Sequence, residues 1–161
     1  MSVSGDIIAT YRGPAAVVRR LLAAGPREDR ALALVLAACA LAFVAQLPGL
    51  AREAHLTGAE LAPLMGSRLL GTVFLAPLFL YALAGLTHLV ARLLGGQGAF
   101  WGARLALFWA LLAVSPLVLV QGLVAGLVGP GPALTAIGAI GFAVFAWFWG
   151  AGLWQAERWP A

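Results

Sequence analysis

The sequence holds a single cysteine, Cys39, and it lies inside an apolar run. An internal disulfide and a cysteine-based zinc site are therefore excluded. Serine is confined to Ser2, Ser4, Ser67 and Ser115, none of them beside a histidine–acid pair in sequence. Charged residues make up only 10% of the chain, with six acids and ten basic residues, all of them arginine. No acid falls within a long apolar run, so a carboxylate-based proton or cation relay lacks its usual parts. H-E-x-x-H, G-x-S-x-G, a phosphate loop and a dinucleotide fingerprint are all missing. His55 and His88 are the only histidines. About 20 helical residues, or about 30 Å, separate them, too far for one haem or metal site. The expectation is a chain without catalytic, cofactor-binding or metal-ligating residues, and not an enzyme.

What the chain has in abundance is apolar surface. Hydrophobic residues are 63% of its 161 positions, and the mean hydropathy is +0.97. Soluble domains are about 45–50% apolar and about 25% charged. A chain of this size cannot bury such an excess in a water-soluble core, so it must face lipid. Uncharged runs at 31–51, 69–91, 105–128 and 134–154 are each long enough to cross a bilayer, which takes about 20 helical residues. The reading is an all-α polytopic membrane protein of one domain, residues 1–161. It has four transmembrane helices and, over 1–25, an interfacial amphipathic helix. The +4 charge could suggest nucleic acid, but the arginines flank the apolar runs. That placement suits anionic headgroups instead. Expected partners are membrane lipids and a protein partner or second copy within the membrane, with no nucleic acid.

In the first 25 residues, Ile7, Tyr11, Ala15, Val18 and Leu22 form one stripe on a helical wheel, with Arg12, Arg19 and Arg20 off its centre. This suits a helix lying in the interface, or one packed on the protein's own cytoplasmic face. Gly13 and Pro14 predict a break, with Pro14 opening a second piece. Gly25 and Pro26 end it. A signal peptide is not expected, because the first long run follows a charged segment. Glu28 and Asp29 stand where a helix dipole favours negative charge.

The connection 52–68 contains Thr57, Gly58, Ala59 and Glu60, which fit a capping box and predict a short helix starting there. The second run carries Pro77, Tyr81, Thr87 and His88, and Arg92 closes it. Gly95, Gly96, Gln97 and Gly98 make a tight turn in which glycine permits positive φ and close approach of helix ends. Phe100, Trp101, Trp154 and Trp159 suit interfacial anchors. A bend is expected near Ser115 and Pro116. Gly122 and Gly126 form GxxxG, which serves either an internal contact or a dimer face. The short turn around Gly129 and Pro130 makes the third and fourth runs antiparallel neighbours. Gly138, Gly141, Ala143, Ala146 and Gly150 offer small packing positions in the fourth. Trp147, Phe148 and Trp149 face lipid or fill gaps. The tail from Gln155 is too short to fold alone.

Four crossings put the N-terminal segment, the second loop and the tail on one side. They carry Arg12, Arg19, Arg20, Arg27, Arg30, Arg92, Arg104 and Arg158, against Arg52 and Arg68 on the other. Arginine bias therefore predicts both termini in the cytoplasm. Polar residues within the runs are few, among them Gln46, Tyr81, Thr87, His88, Ser115 and Gln121. Tyr81 and His88 share a helix face, and Arg92 lies one turn on. They outline a candidate polar groove; alternatively, His88 bonds a neighbouring helix or headgroup.

The stretch HLVARLLGGQGAFWGARLALFWALLAVSPL resembles bacterial members of the Yip family, multi-span membrane proteins named for eukaryotic relatives that interact with Ypt/Rab GTPases. The features carrying the likeness are Gly95, Gly96, Gly98 and Phe100 in the turn, Arg104 after it and Pro116 midway along the next run. The stretch over 7–41, IIATYRGPAAVVRRLLAAGPREDRALALVLAACAL, also looks like small alphaproteobacterial proteins of this group. Eukaryotic members act in vesicle trafficking and membrane shaping, and no catalytic residue comes with the resemblance. Small-residue faces without catalytic groups lead to the expectation of a non-enzymatic inner-membrane protein acting in scaffolding, membrane organisation or assembly through helix contacts. The resemblance does not extend to Rab binding, because about 30 residues ahead of the first run cannot form an independent domain. Eukaryotic relatives typically have five spans against four here; either the family differs, or residues 61–65 insert in part. Alternative roles are a small transporter or lipid-handling protein using the Tyr81, His88 and Arg92 groove, or an accessory subunit of a larger membrane complex.

Overall fold

Hydropathy marks where a helix can sit in lipid, not where it stops, and the helices outrun the apolar runs. The computed structural model describes residues 2–158; Trp159 lies outside them. Two short helices, α1 (Val3–Thr10) and α2 (Pro14–Ala23), precede α3 (Glu28–Thr57), α4 (Leu61–Leu69), α5 (Ala76–Leu93), α6 (Phe100–Leu127) and α7 (Pro132–Arg158). There is no strand among the described residues. Four continuous helical stretches, Glu28–Thr57, Leu61–Leu93, Phe100–Leu127 and Pro132–Arg158, are long and apolar enough to cross a membrane. The chain is an all-helical, multi-pass membrane protein.

The expected connection 52–68 is mostly helix. Pro48 lies within α3 without ending it, and the helix runs on to Gly58, whose φ of +71° stops it. The capping box does not form. Thr57 Oγ1 donates back to the Glu53 carbonyl at 2.7 Å, so it closes α3 instead of opening α4. Glu60 takes the N-cap position of α4 with no side-chain capping bond. Between α4 and α5 the helix widens to π register over Leu70–Leu75. The Ala76 N–H reaches the Gly71 carbonyl, five residues back. Pro77 follows directly; it has no N–H, and its ring would crowd the preceding turn of a regular helix.

The central element is α6, which packs against α3, α5 and α7. From Gly102 to Ser115 only Arg104 and Leu111 escape full burial, as expected for a helix that is apolar all round. Its C-terminal half lies against α3 through GxxxG. A Cβ on Gly122 would fall 1.8 Å from the Ala45 carbonyl oxygen, and one on Gly126 2.4 Å from Pro48 Cβ. GxxxG therefore serves an internal contact, and α3 already occupies the face a second copy would need. A Cβ on Gly138 would fall 2.9 Å from Gln121 Nε2, but Gly141 and Gly150 face open space. Ala143 and Ala146 are also exposed. The small residue that does seat α7 is Gly152, against Ala106 and Val18. Phe148 fills the core, while Trp147 points outward.

The N-terminal stripe packs on the bundle. Val17, Val18, Leu21 and Leu22 of α2 are buried in the core shared with α6 and α7, while Val3 and Ile8 of α1 stay exposed. Thr10 is fully buried: its Oγ1 donates to the Asp6 carbonyl at 2.7 Å and accepts from Trp109 Nε1 at 3.0 Å. Arg20 pairs with Asp6, and Tyr11 packs edge-on against Phe148 with centroids 5.0 Å apart. Burial pushes the Tyr11 hydroxyl above its ordinary pKa. Gly102 meets both Ala156 and Leu22, so α2, the start of α6 and the end of α7 converge at one end of the bundle.

Candidate functional site

At that end the 94–99 loop closes over the last turn of α7. Helix α5 stops in a Schellman arrangement. Gly95, at φ +93°, donates its N–H to the Arg92 carbonyl, and the Gly96 N–H reaches Ala91 at 2.9 Å. The loop then lies directly on α7. A Cβ on Gly98 would sit 2.2 Å from the Ala156 carbonyl oxygen, and one on Gly96 2.5 Å from Glu157 Oε2. Close approach is indeed what these glycines allow, but the helix approached is the fourth span.

Glu157 is the residue around which this end is built. Its carboxylate bonds His88 Nδ1 at 3.0 Å through one oxygen and accepts the Gly98 N–H at 3.3 Å through the other. Its carbonyl accepts the Gln97 N–H at 3.1 Å. Both side chains of the pair are about nine-tenths buried. The Phe100 ring stands edge-on to the imidazole, with centroids 5.6 Å apart. A buried carboxylate with acceptors satisfied on both oxygens is a structural clasp. It ties α5, the loop and α7 together.

Beside the clasp, Arg104 reaches Glu28 with both terminal nitrogens, one of them at 2.8 Å. Its guanidinium covers the Phe100 ring at 4.5 Å and the Tyr81 ring at 5.8 Å. Glu28 thus does more than complement the α3 dipole; it joins the first span to the third. Tyr81 also packs edge-on against Phe108, centroids 4.9 Å apart.

The expected polar groove is filled. Tyr81 and His88 share a face of α5, but Phe108, Phe100, Arg104 and Glu157 occupy the space in front of them. Arg92 is exposed and takes no part. Of the turn residues, Gly95, Gly96, Gly98, Phe100 and Arg104 belong to this assembly, whereas Pro116 lies exposed on α6. Phe100 is half exposed and packs on His88, and Trp101 packs against the core.

Glu157 escapes the sequence reading because it lies past the fourth apolar run, in a tail set aside as too short to fold. The signal available was the lack of any helix breaker between Gly152 and Pro160, which lets α7 continue through Glu157. No protein-family model, curated protein or solved structure matches this chain.

Proposed function

We propose that this chain is a non-enzymatic organiser of a bacterial inner membrane, akin to the Yip family, with both termini and the 94–99 loop in the cytoplasm. It works by helix contact with a partner or a second copy. One observation supports this reading above others. The ionisable side chains buried at the loop end are answered within the chain, His88 by Glu157 and Arg104 by Glu28, and Thr10 is bonded by Trp109, while the Tyr11 hydroxyl and Arg104 Nε stay unpaired among the described residues. The outward faces of α5 and α7 carry bulky apolar side chains, including Phe79 at 80%, Leu78 at 71% and Phe142 at 72% exposure. Such faces meet lipid or another membrane helix. GxxxG is taken by α3, so association runs through α5 or α7.

The test is crosslinking in native membranes, then mild detergent extraction and affinity purification. A partner or dimer crosslinked through α5 or α7 is expected. A protein that stays monomeric and partner-free at every concentration contradicts the proposal. If the partner is a larger complex, the same purification identifies the chain as its accessory subunit.

A further inference from the structure

The opposite end of the bundle is open. A cavity of about 700 Å³ lies between α3, α6, the end of α4 and the start of α7. Its walls include Leu50, Val118 and Ala125, and its rim carries Arg52, Glu53 and Arg68. A second, almost wholly apolar cavity of about 210 Å³ continues it towards the middle of the bundle, walled by Cys39, Leu80 and Leu111. The two share Ala42 and Val118. From Arg52 to Cys39 the slot follows α3 for about 20 Å, against about 15 Å for the hydrocarbon of one leaflet.

The rim is charged without being neutralised. Neither Arg52 nor Arg68 forms an ion pair among the described residues. Arg52 gives one terminal nitrogen to the Gly126 carbonyl at 3.3 Å, at the C-terminal end of α6, and its Nε, like that of Arg104 at the other end, is buried with no partner among the described residues. Counting Glu53, the rim carries one net positive charge. The slot is also held open. Gln46 bridges the Ala42 carbonyl at 3.1 Å and Thr72 Oγ1 at 2.9 Å, fixing the π-helical stretch against α3. Segments in π register recur at functional sites because they displace a wall without breaking the helix.

We propose that this slot holds an acyl chain of a phospholipid whose headgroup phosphate is paired by Arg52 and Arg68. The chemistry fits at both ends. Guanidinium groups suit phosphate oxygens. The volume lies in the range of about 300–1,000 Å³ that small-molecule sites occupy. The net charge of the rim selects an anionic headgroup over a choline one. This goes beyond an organising role, since it gives the protein a resident lipid at the end of the bundle away from the clasp.

The experiment is native mass spectrometry of the delipidated full-length chain, with added phosphatidylglycerol or phosphatidylcholine of the same acyl composition. One retained phosphatidylglycerol per chain is expected, favoured over phosphatidylcholine by about five-fold, and Arg68→Gln lowers its retention by about five-fold. Arg68 is exposed, so this change leaves the fold alone. Val118→Trp, filling the shared wall, abolishes retention. Bound phosphatidylglycerol also slows alkylation of Cys39 by N-ethylmaleimide, a readout that needs no variant. Equal retention of the two lipids, retention unmoved by Arg68→Gln, or Cys39 alkylation indifferent to lipid overturns the proposal. So does displacement of the lipid by inorganic phosphate alone.

Discussion

The two ends of the bundle use glycine in the same way and arrive at opposite results. At the loop end, Gly96 and Gly98 let the backbone lie on α7, and Glu157 saturates the contact. At the other end, Gly122 and Gly126 press α6 onto α3, yet Arg52 and Arg68 have no carboxylate partner among the described residues and a cavity stays open. Close backbone approach alone therefore does not decide whether a region is closed. What differs is the carboxylates: Glu157 and Glu28 answer His88 and Arg104 at the loop end, whereas none among the described residues answers Arg52 or Arg68.

The strongest way to break this comparison is to force the helices apart where they are closest. Gly122→Leu is expected to destabilise the fold by about 3 kcal/mol or more, because the branch collides with the Ala45 backbone. Gly141→Leu, facing open space, should stay within about 0.5 kcal/mol. Unfolding titrations in sodium dodecyl sulfate read both. Next comes the clasp. Glu157→Ala leaves a buried imidazole and the Gly98 N–H without their partner, at a cost of about 2–3 kcal/mol. Amide exchange at Gly98 should rise in step. A smaller effect is expected for Trp109→Phe, which removes the bond to Thr10 for about 1 kcal/mol. Limited proteolysis should then cut sooner after α1. Smallest is Arg104→Lys. It loses the two-pronged contact to Glu28, but Glu28 is 62% exposed, so the change should cost under about 1 kcal/mol in thermal melts.

The sequence carries the four crossings plainly, since each needs only a long uncharged run. It also carries the positions of close approach, because Gly96, Gly98, Gly122 and Gly126 are glycines in tight sequence patterns. It does not carry the partners. Gly98 meets Ala156 and Gly122 meets Ala45, each across more than fifty residues, and no local pattern encodes such a pairing. His88 illustrates the same limit. Its face on α5 is legible from spacing, but the acid that answers it lies beyond the point where hydropathy ends the fourth run. The boundaries 52–68 mislead for a related reason. Charge ends the lipid-facing run at Arg52, whereas the helix ends only at Gly58, where the backbone turns left-handed.

Helix α2, the 94–99 loop and the end of α7 meet at one end of a four-crossing bundle. Single cysteines in a Cys39→Ala background test this directly. Ala24→Cys, Gln97→Cys and Arg158→Cys should all react with an impermeant maleimide from the cytoplasmic side only, and Leu56→Cys from the other side only. Labelling of Ala24→Cys and Arg158→Cys from opposite faces of the membrane would contradict the account.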